Sequence, residues 1–297
     1  MNKRSLVVGM GIGQLYKTVL TNLGHTVVTV DQDITKGADF DSVDKALLVH
    51  GLFDTAHICT PNFTHFEMAA RVAPCTKIVF IEKPGVATSD TWIKLVTEFK
   101  HARFMMVKNN MWRSNIEELR SHVTNARTVK IKWINKNRIP NPGTWFTNKK
   151  LAYGGVSRDL MPHLLSLYIA LNPKWNTANM TGQEKRQQHT LDTIQDTEYG
   201  TVKRDGVYDV DDLCKIKYMQ NGRTWKMEAN WADGKEDHRA ITFEMNDGTD
   251  IVFELGLCPE EAYQAMIKEA VERVDDPVFW TKQIEQDIWI HDRITSI

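Results

Sequence analysis

The sequence predicts an α/β fold in two parts: an N-terminal parallel sheet covered by helices, then a C-terminal α+β part with an open, mainly antiparallel sheet. Two observations predict this division. Short apolar runs alternate with segments of helical periodicity as far as Lys108, and β-rich segments separated by turn residues follow after Gly206. Strands that alternate with helices are typical of parallel sheets, whereas strands joined by short turns are typical of antiparallel ones.

Each predicted strand of the first part is short and apolar, and a helical pattern follows it. The strands are Ser5–Val8, His25–Val30, Thr55–Cys59, Lys77–Ile81 and Phe104–Val107. The helices are Gln14–Leu23, Asp41–Val49, His65–Ala73 and Asp90–Phe99. Strands separated by helices pair in parallel, with both faces of the sheet covered. We therefore predict a Rossmann-type dinucleotide-binding domain at residues 1–108.

Residues 109–297 are predicted to form a substrate-binding and oligomerisation domain. It begins with a strand at Thr128–Asn135 and a loop at Arg138–Gly143, and one helix runs from Gly155 to Leu171. The polar stretch Lys174–Gly206 stays unassigned. Four successive antiparallel strands are expected at Cys214–Tyr218, Thr224–Trp231, Ala240–Met245 and Asp250–Leu255. Two helices, Glu260–Val274 and Trp280–Ile294, close the chain, and the last is expected to pack back on the first domain.

Composition excludes several classes of function. The 297 residues carry a formal net charge of −1 with no Lys/Arg block, which argues against a nucleic-acid partner. No apolar stretch is long enough for a membrane helix, and the first apolar run leads straight into glycines, so we expect neither a membrane span nor a signal peptide. The four cysteines form no CxxC pair, which favours free thiols in a reducing cytoplasm and no metal site.

A glycine-rich turn, Gly9-Met10-Gly11-Ile12-Gly13, follows the first strand and opens the first helix. Glycines there let the backbone approach a pyrophosphate at a helix N-terminus. In the usual GxGxxG spacing the third glycine comes one residue later, where this chain has Gln14. A glycine turn without a ligand is the alternative interpretation.

Asp31 ends the second strand, twenty residues after Gly11. A carboxylate at this place can accept hydrogen bonds from both ribose hydroxyls and repels a 2′-phosphate. No arginine follows it, so the sequence favours NAD over NADP. A strand-end turn residue is the alternative.

Two further strand ends carry polar groups, and ligands of open α/β sheets bind at such ends. Thr60, Pro61, Asn62 and His65 follow the third strand, and Glu82 and Lys83 end the fourth. Lys83 could hydrogen-bond the reacting oxygen of a substrate. The alternatives are an ordinary helix-capping turn and a surface lysine paired with Glu82.

Asp159 and His163 stand four residues apart after a Gly-Gly pair, a spacing that puts both on one face of a helix. Imidazole titrates near neutral pH, so His163 is suited to take a proton from an alcohol, while Asp159 could orient it or hold a substrate hydroxyl. Trp145 and Arg158 flank this segment and could contact substrate. A lone histidine on an apolar helix face is more often a core residue.

In this order and spacing the motifs resemble the Gfo/Idh/MocA oxidoreductases. The matching pieces are the N-terminal glycines with Asp31, the Cys-Thr-Pro-Asn segment with His65, Glu82-Lys83-Pro84, the segment Val107–Arg113 with Asn110, and Gly154–His163. The resemblance implies a Rossmann domain for NAD(H) or NADP(H) and a second domain whose sheet faces the nicotinamide. It implies Lys83, Asp159 and His163 as the catalytic group, with His163 the acid/base, and Asn110 among the substrate contacts.

Many members of this family oxidise a hydroxyl of a sugar, a sugar derivative or a cyclitol, and many form dimers or tetramers through the open sheet. We therefore predict an NAD-dependent dehydrogenase or reductase acting on a CH–OH group of a small molecule. A non-catalytic NAD-binding sensor and an NAD-using glycoside hydrolase remain alternatives. A homo-oligomer is also expected, because four apolar residues of the C-terminal strands look exposed: Trp225, Met227, Trp231 and Phe243.

Overall fold

A computed structural model describes residues 3–233 and 236–297, and the chain divides into two compact units. The first unit consists of the residues up to Val107 together with Glu260–Asp292. The second consists of Lys108–Pro259 together with Arg293–Ile297. The chain therefore leaves the first unit after Val107, returns to it at Glu260 and leaves it again after Asp292.

The strands are β1 (Arg4–Val8), β2 (Thr26–Val30), β3 (Phe53–Ile58), β4 (Thr76–Ile81), β5 (Arg103–Met106), β6 (Ala126–Ile134), β7 (Asn179–Arg186), β8 (Leu213–Gln220), β9 (Arg223–Asn230), β10 (His238–Met245) and β11 (Asp250–Glu254).

The α-helices are α1 (Gly13–Asn22), α2 (Val43–His50), α3 (His65–Val72), α4 (Ser89–Glu98), α5 (Ile116–Val123), α6 (Lys149–Ala152), α7 (Val156–Asp159), α8 (Met161–Leu171), α9 (Glu260–Glu272) and α10 (Pro277–Ser296). None of the helices in the described part of the chain is both long and apolar enough to cross a bilayer.

The first unit contains the predicted parallel sheet, with the strand order β2-β1-β3-β4-β5, and that prediction is confirmed. The middle strands are almost continuously buried, as expected when helices cover both faces. Val8 at the end of β1 lies opposite Ile58 at the end of β3, so the loops after these two strands begin side by side.

The C-terminal helices are integral to this unit. Tyr263 of α9 packs edge-on against Tyr16 of α1, with ring centroids 5.6 Å apart. The carboxylate of Asp287 in α10 accepts a hydrogen bond of 3.1 Å from the backbone N–H of Met106, the last residue of β5. Both Tyr16 and Asp287 are fully buried, so these contacts belong to the core.

The second unit is built on a six-stranded sheet in the order β11-β10-β6-β9-β8-β7. The prediction that the last four strands are successive antiparallel neighbours is wrong at one point, because β6 lies between β9 and β10. It runs parallel to β9 and antiparallel to β10, which places Ile131 beside both Met227 and Ile241. Periodicity marks which residues share a face, but it does not say which strands are neighbours.

One face of this sheet carries the apolar residues and packs under α8, whose residues are nearly all buried. The four residues expected to be exposed are buried there, at 1% exposure or less: Trp225, Met227, Trp231 and Phe243. That expectation is corrected, since their cover comes from this chain. The opposite face is charged: Lys130, Lys226 and Lys217 are direct cross-strand neighbours on β6, β9 and β8, and they line a shallow depression of about 440 Å³.

The predicted single helix from Gly155 to Leu171 is divided into α7 and α8 at Leu160. The cause is Pro162, in the first turn of α8. Proline has no backbone N–H to donate to the carbonyl of Arg158, and its ring crowds that carbonyl. Asp159 therefore ends one helix while His163 lies in the first turn of the next.

Three elements have no counterpart among the predictions: α5, the short helix α6 and β7. β7 lies inside the polar stretch Lys174–Gly206 and is an edge strand paired only with β8 in the described sheet. Most of its residues are exposed, so its sequence lacks the apolar alternation from which strands are recognised.

Candidate functional site

The glycine-rich turn of the first unit leaves room for backbone approach. Gly9 has φ +93°, and a Cβ there would lie 2.7 Å from the carbonyl oxygen of Cys59. A Cβ on Gly11 would meet no atom within 4 Å, so this part of the turn is open. Gly13 is buried against β1, where a Cβ would come within 2.9 Å of Val7. Although it stands one residue early, Gly13 provides the close helix–strand packing that the third glycine of such turns provides.

Ile12 directly precedes α1 and is 45% exposed, so the N-terminus of this helix is open to a ligand. The first N–H groups of a helix have no partner inside it, and they favour an anion at that end. The turn therefore fits a dinucleotide pyrophosphate.

Asp31 lies beside this turn at the end of β2. Its carboxylate accepts hydrogen bonds from the backbone N–H groups of Met10 (2.7 Å) and Asp33 (2.9 Å), and it pairs with Lys36 at 3.2 Å. Burial opposes ionisation of Asp31, but these hydrogen bonds and the lysine outweigh it and hold the pKa below its ordinary value. Lys36 was not identified from the sequence, because the short turn that brings it back to Asp31 has no clear sequence signal.

The loop after β3 is tied down by His65, which is 1% exposed. One ring nitrogen, Nδ1, lies 2.6 Å from the carbonyl oxygen of Gly85, and the other, Nε2, lies 2.8 Å from that of Thr60. The ring therefore joins the loop after β3 to the loop after β4. Asn62, also buried, and the half-buried Pro61 lie between these anchor points.

Glu82 and Lys83 follow β4 as predicted. The buried carboxylate of Glu82 accepts a hydrogen bond of 2.6 Å from the hydroxyl of Tyr16 and one of 3.1 Å from the backbone N–H of Lys83. Burial, then the charge of Glu82, raises the pKa of Tyr16 well above its ordinary value. Glu82 thus holds the backbone from which the half-buried Lys83 projects, and Tyr16 is a supporting residue that sequence reasoning missed.

His291 of α10 supports the same loop from the other side. Its Nε2 accepts a hydrogen bond of 3.1 Å from the backbone N–H of Val86, and its Nδ1 lies 2.6 Å from the carbonyl oxygen of Asp287. A Cβ on Gly85, which has φ +78°, would lie 2.5 Å from this ring. The Lys83-Pro84 peptide just before it is cis.

In the second unit Asp159 is held by Trp231, whose fully buried indole Nε1–H donates a hydrogen bond of 2.8 Å to its carboxylate. The ring of Trp231 lies 6.4 Å from that of Phe146, and Phe146 packs on Trp145 at 4.5 Å. Trp145 is only half-buried. An aromatic row therefore runs from the Asp159 carboxylate to a partly open indole.

The turn that starts α7 is fixed by Asp211, which sequence reasoning also missed. Its carboxylate accepts hydrogen bonds from the backbone N–H groups of Gly155 (3.1 Å) and Ser157 (2.7 Å), and its carbonyl oxygen accepts one from Val156 at 2.8 Å. A Cβ on Gly155 would lie 1.8 Å from that carbonyl oxygen. Only glycine fits there, so the Gly-Gly pair serves this close approach.

His163 lies in the same unit, and its ring stacks on Trp133 with centroids 5.3 Å apart and planes 24° apart. Its Nδ1 is 3.1 Å from Nδ2 of Asn110, whose Oδ1 accepts a hydrogen bond of 2.8 Å from Nε of Arg113. The structure thus brings together His163 and Asn110. Asp159 and His163 flank the helix break at Leu160, and each has its own partner.

Arg158 is 7% exposed, and its guanidinium donates to the hydroxyl of Thr295 at 3.1 Å. Burial lowers its pKa to about 10, against the opposing effect of Asp211.

Lys108, which was not singled out from the sequence, is 1% exposed just ahead of Asn109. Lysines are almost never buried to this extent unless they are paired.

No group of three or more His, Cys, Asp or Glu side chains could hold a metal ion among residues 3–233 and 236–297. Cys59 and Cys214 are buried free thiols, and Cys75 and Cys258 are partly buried ones.

Residues 4–109 match the model of a family described as "Oxidoreductase family, NAD-binding Rossmann fold", the Gfo/Idh/MocA family. A protein of Amycolatopsis mediterranei, assigned as a UDP-kanosamine synthase oxidoreductase subunit, is 30% identical over 191 residues. That match covers 58% of this chain and 53% of the relative, so the chain spans about half the length of this curated relative.

Solved structures share the fold over nearly the whole chain. GenD2 from gentamicin A biosynthesis, in complex with NAD, has a TM-score of 0.76 at 17% identity over 99% of this chain and 92% of its own. Levoglucosan dehydrogenase with NADH and levoglucosan has a TM-score of 0.73 at 15% identity, covering 100% and 97%. A myo-inositol dehydrogenase from Corynebacterium glutamicum has a TM-score of 0.74 at 12% identity, covering 99% and 95%.

Proposed function

Residues 4–109 match the NAD-binding domain of the Gfo/Idh/MocA oxidoreductases, and we propose that this chain is a member of that family and an NAD-dependent dehydrogenase or reductase. Hydride passes between the nicotinamide and a carbinol or carbonyl carbon of a sugar, a sugar derivative or a cyclitol. Two structural neighbours, a levoglucosan dehydrogenase and a myo-inositol dehydrogenase, support this class of polyhydroxylated substrate.

The observation that carries the proposal is the fixed imidazole of His163. It stacks on an indole and is hydrogen-bonded by an amide, in the unit that also holds the Asp159 carboxylate on Trp231. A group that only fills a core needs no such orientation. In the second unit the imidazole and the carboxylate are a donor and acceptor set suited to the oxygen of an alcohol or a carbonyl, and in the first unit Lys83 is a donor of the same kind.

The first unit supplies the cofactor site of this proposal. The open turn at Gly11 and the N-terminus of α1 receive the pyrophosphate, and Asp31 accepts hydrogen bonds from the adenosine ribose. The loop carrying Thr60, Pro61 and Asn62 lines the same edge of the sheet. His65 and Glu82 hold their loops in place, and the bound nicotinamide supplies the hydride acceptor.

The second unit supplies substrate recognition. We assign Trp145, at the open end of the aromatic row, to the apolar face of a sugar ring, since sugar C–H groups pack on aromatic rings. Asp159 accepts from a substrate hydroxyl while Trp231 donates to it. Arg158 and Asn110 support this wall of the site through their contacts with Thr295 and His163.

The test is a screen of sugars, sugar derivatives and cyclitols with NAD, read by NADH fluorescence. Lys83→Met and His163→Asn should each slow turnover on the active substrate by roughly 10²–10⁴-fold with NAD affinity largely kept. Lys77→Met is the matched control, because this exposed lysine of β4 pairs only with Asp54 among the described ion pairs. Near wild-type turnover of both catalytic variants would refute the assignment.

Two alternatives predict different outcomes in the same screen. An NAD-binding sensor would bind the cofactor without turning over any substrate. A glycoside hydrolase that recycles its NAD would cleave glycosides without net NADH release.

A further inference from the structure

We propose that Asn110, oriented by Arg113, fixes His163 in the tautomer that carries its proton on Nε2, so that neutral His163 meets the substrate oxygen as a hydrogen-bond donor. The inference rests on the proposed function, since it takes His163 as a group that touches substrate. It makes Asn110 and Arg113 positioning residues. Under this proposal His163 acts as a hydrogen-bond donor, whereas the family resemblance implies that it is the acid/base.

Arg113 decides which way the amide of Asn110 points. A carboxamide has an oxygen that accepts and a nitrogen that donates, whereas a guanidinium can only donate. Nε of Arg113 lies 2.8 Å from one end of the amide, so that end is Oδ1. A second nitrogen of Arg113 donates to the carbonyl oxygen of Gly256 at 2.8 Å, which anchors the guanidinium.

The amide nitrogen of Asn110 then has two hydrogens and two acceptors. One is Oδ1 of Asn109 at 3.2 Å, which also accepts the backbone N–H of Asn110 at 2.9 Å. The other is Nδ1 of His163 at 3.1 Å. Asn109 and Asn110 are 2% and 1% exposed, so water does not compete for these bonds.

A nitrogen that accepts a hydrogen bond must present its lone pair, so Nδ1 of His163 carries no proton in this arrangement. Neutral imidazole has one protonated nitrogen, and that nitrogen is therefore Nε2. The stack on Trp133 holds the plane of the ring, and Arg239 lies over the same indole at 5.0 Å from its centroid. Turning the imidazole over would bring a carbon against the Asn110 amide and lose the hydrogen bond.

The chemical consequence concerns the path of the proton. An Nε2–H donor stabilises negative charge on the substrate oxygen but cannot accept the proton of an alcohol. A group other than His163 must therefore take the proton of the alcohol in oxidation and supply it in reduction.

The tautomer can be measured without substrate by long-range ¹H–¹⁵N correlation spectra of the full chain labelled with ¹⁵N-histidine. His163 should show the pattern of an Nε2–H imidazole. His291 is an internal reference of the opposite kind, because its Nε2 accepts from Val86 and its Nδ1 donates to the Asp287 carbonyl. The His163→Asn spectrum assigns the signal.

Asn110→Asp replaces the donor by a carboxylate that can only accept, so His163 should change to the Nδ1–H tautomer. Asn115→Asp adds the same charge five residues away, outside this hydrogen-bond network, and should leave the tautomer unchanged. An Nδ1–H signal for His163 in the wild-type protein would overturn the proposal, whether or not the variant folds. So would a folded Asn110→Asp protein that keeps Nε2–H. The tautomer is measured without turnover, so this result does not depend on whether the substrate screen finds an active compound.

Discussion

At the scale of single residues, the cofactor specificity of this chain depends on a pair rather than on Asp31 alone. The sequence shows no arginine near Asp31, but the structure brings the half-exposed Lys36 to 3.2 Å from its carboxylate. A cation there reduces the repulsion between Asp31 and a 2′-phosphate. NADP(H) binding is thereby disfavoured less than the aspartate alone would suggest.

We therefore expect Lys36→Met to weaken NADP(H) relative to NAD(H) by about fivefold, which is the upper range for an exposed ion pair. Fluorescence titration of both cofactors measures it. Lys45→Met, which removes another exposed lysine paired with an aspartate, is the control. An unchanged ratio of the two affinities would show that Lys36 does not reach the phosphate. Asp31→Ser should narrow the preference for NAD(H).

His57 predicts the response of the first unit to acid. It is 1% exposed on β3, stacks on Phe80 and is hydrogen-bonded to Thr55. Burial, and to a lesser extent the charge of His25, lowers the pKa of His57 to about 3. The unfolded chain binds a proton near pH 6.5, whereas the folded chain excludes it. The stability that neutral His57 contributes is thus complete above about pH 6.5 and is lost as the pH falls towards 3.

Between pH 7 and pH 5 this loss should amount to about 2 kcal/mol in the free energy of unfolding. Urea unfolding at the two pH values measures it. His57→Gln keeps a hydrogen-bonding side chain without a charge and should reduce the difference, whereas His101→Gln, at a partly exposed site, should not. Equal differences for wild type and His57→Gln would contradict the assignment.

At the scale of elements, the parallel sheet could be predicted because each of its strands is a short apolar run and helical patterns separate these runs in the sequence. Motifs at strand ends were also found, since the ends of parallel strands meet at one edge. The supporting contacts could not be predicted, because they join residues that are far apart in the sequence. Tyr16 reaches Glu82, Asp211 reaches the Gly155 turn, and no local pattern marks either pair.

The strand order of the second sheet could not be predicted for a similar reason. β6 lies between β9 and β10 and pairs with both, although these strands are far from it in the sequence and no local pattern marks the pairing. Asn110 illustrates the same limit at the site. The family resemblance marked it as a substrate contact, but its buried amide and its bond to His163 are visible only in three dimensions.

The turn before α7 offers a test at this scale. Asp211→Asn replaces one accepting oxygen by an amide that faces backbone N–H groups of Gly155 and Ser157. We expect a loss of roughly 1–3 kcal/mol in the free energy of unfolding, because buried donors lose their acceptor. Asp192→Asn, on an exposed loop of the same unit, is the control. Equal unfolding midpoints for both variants would contradict this account of the turn.

At the scale of the whole molecule, we still propose a homo-oligomer, but on different grounds. The open sheet face is charged rather than apolar, with Lys132, Lys215 and Glu228 in ion pairs beside the lysine row formed by Lys130, Lys217 and Lys226. Like charges that are direct cross-strand neighbours destabilise a sheet unless something compensates them. Glu244 already pairs with Lys130 within this chain, and acidic groups of a second copy would compensate Lys217 and Lys226.

If this face joins two copies, their association should be ionic and should weaken as salt is raised. Light scattering at micromolar concentration, in low and in high salt, measures the mass. Lys226→Glu at the centre of the row should change the salt dependence, whereas Lys268→Glu on α9 should not. A single mass in all conditions, unaffected by either variant, would count against an interface on this face.

The return of the chain to its first unit sets an order of assembly. A ribosome releases β1 to β5 first, yet Tyr16 and Met106 find their partners only when α9 and α10 emerge. Until then the core of the nucleotide-binding unit is incomplete, whereas the second unit can already be completed up to Pro259. The loop carrying Lys83 is secured only after His291 has emerged, 205 residues after Val86. A nascent chain of this protein therefore completes its nucleotide-binding unit only after residues 108–259 of the second unit have been made.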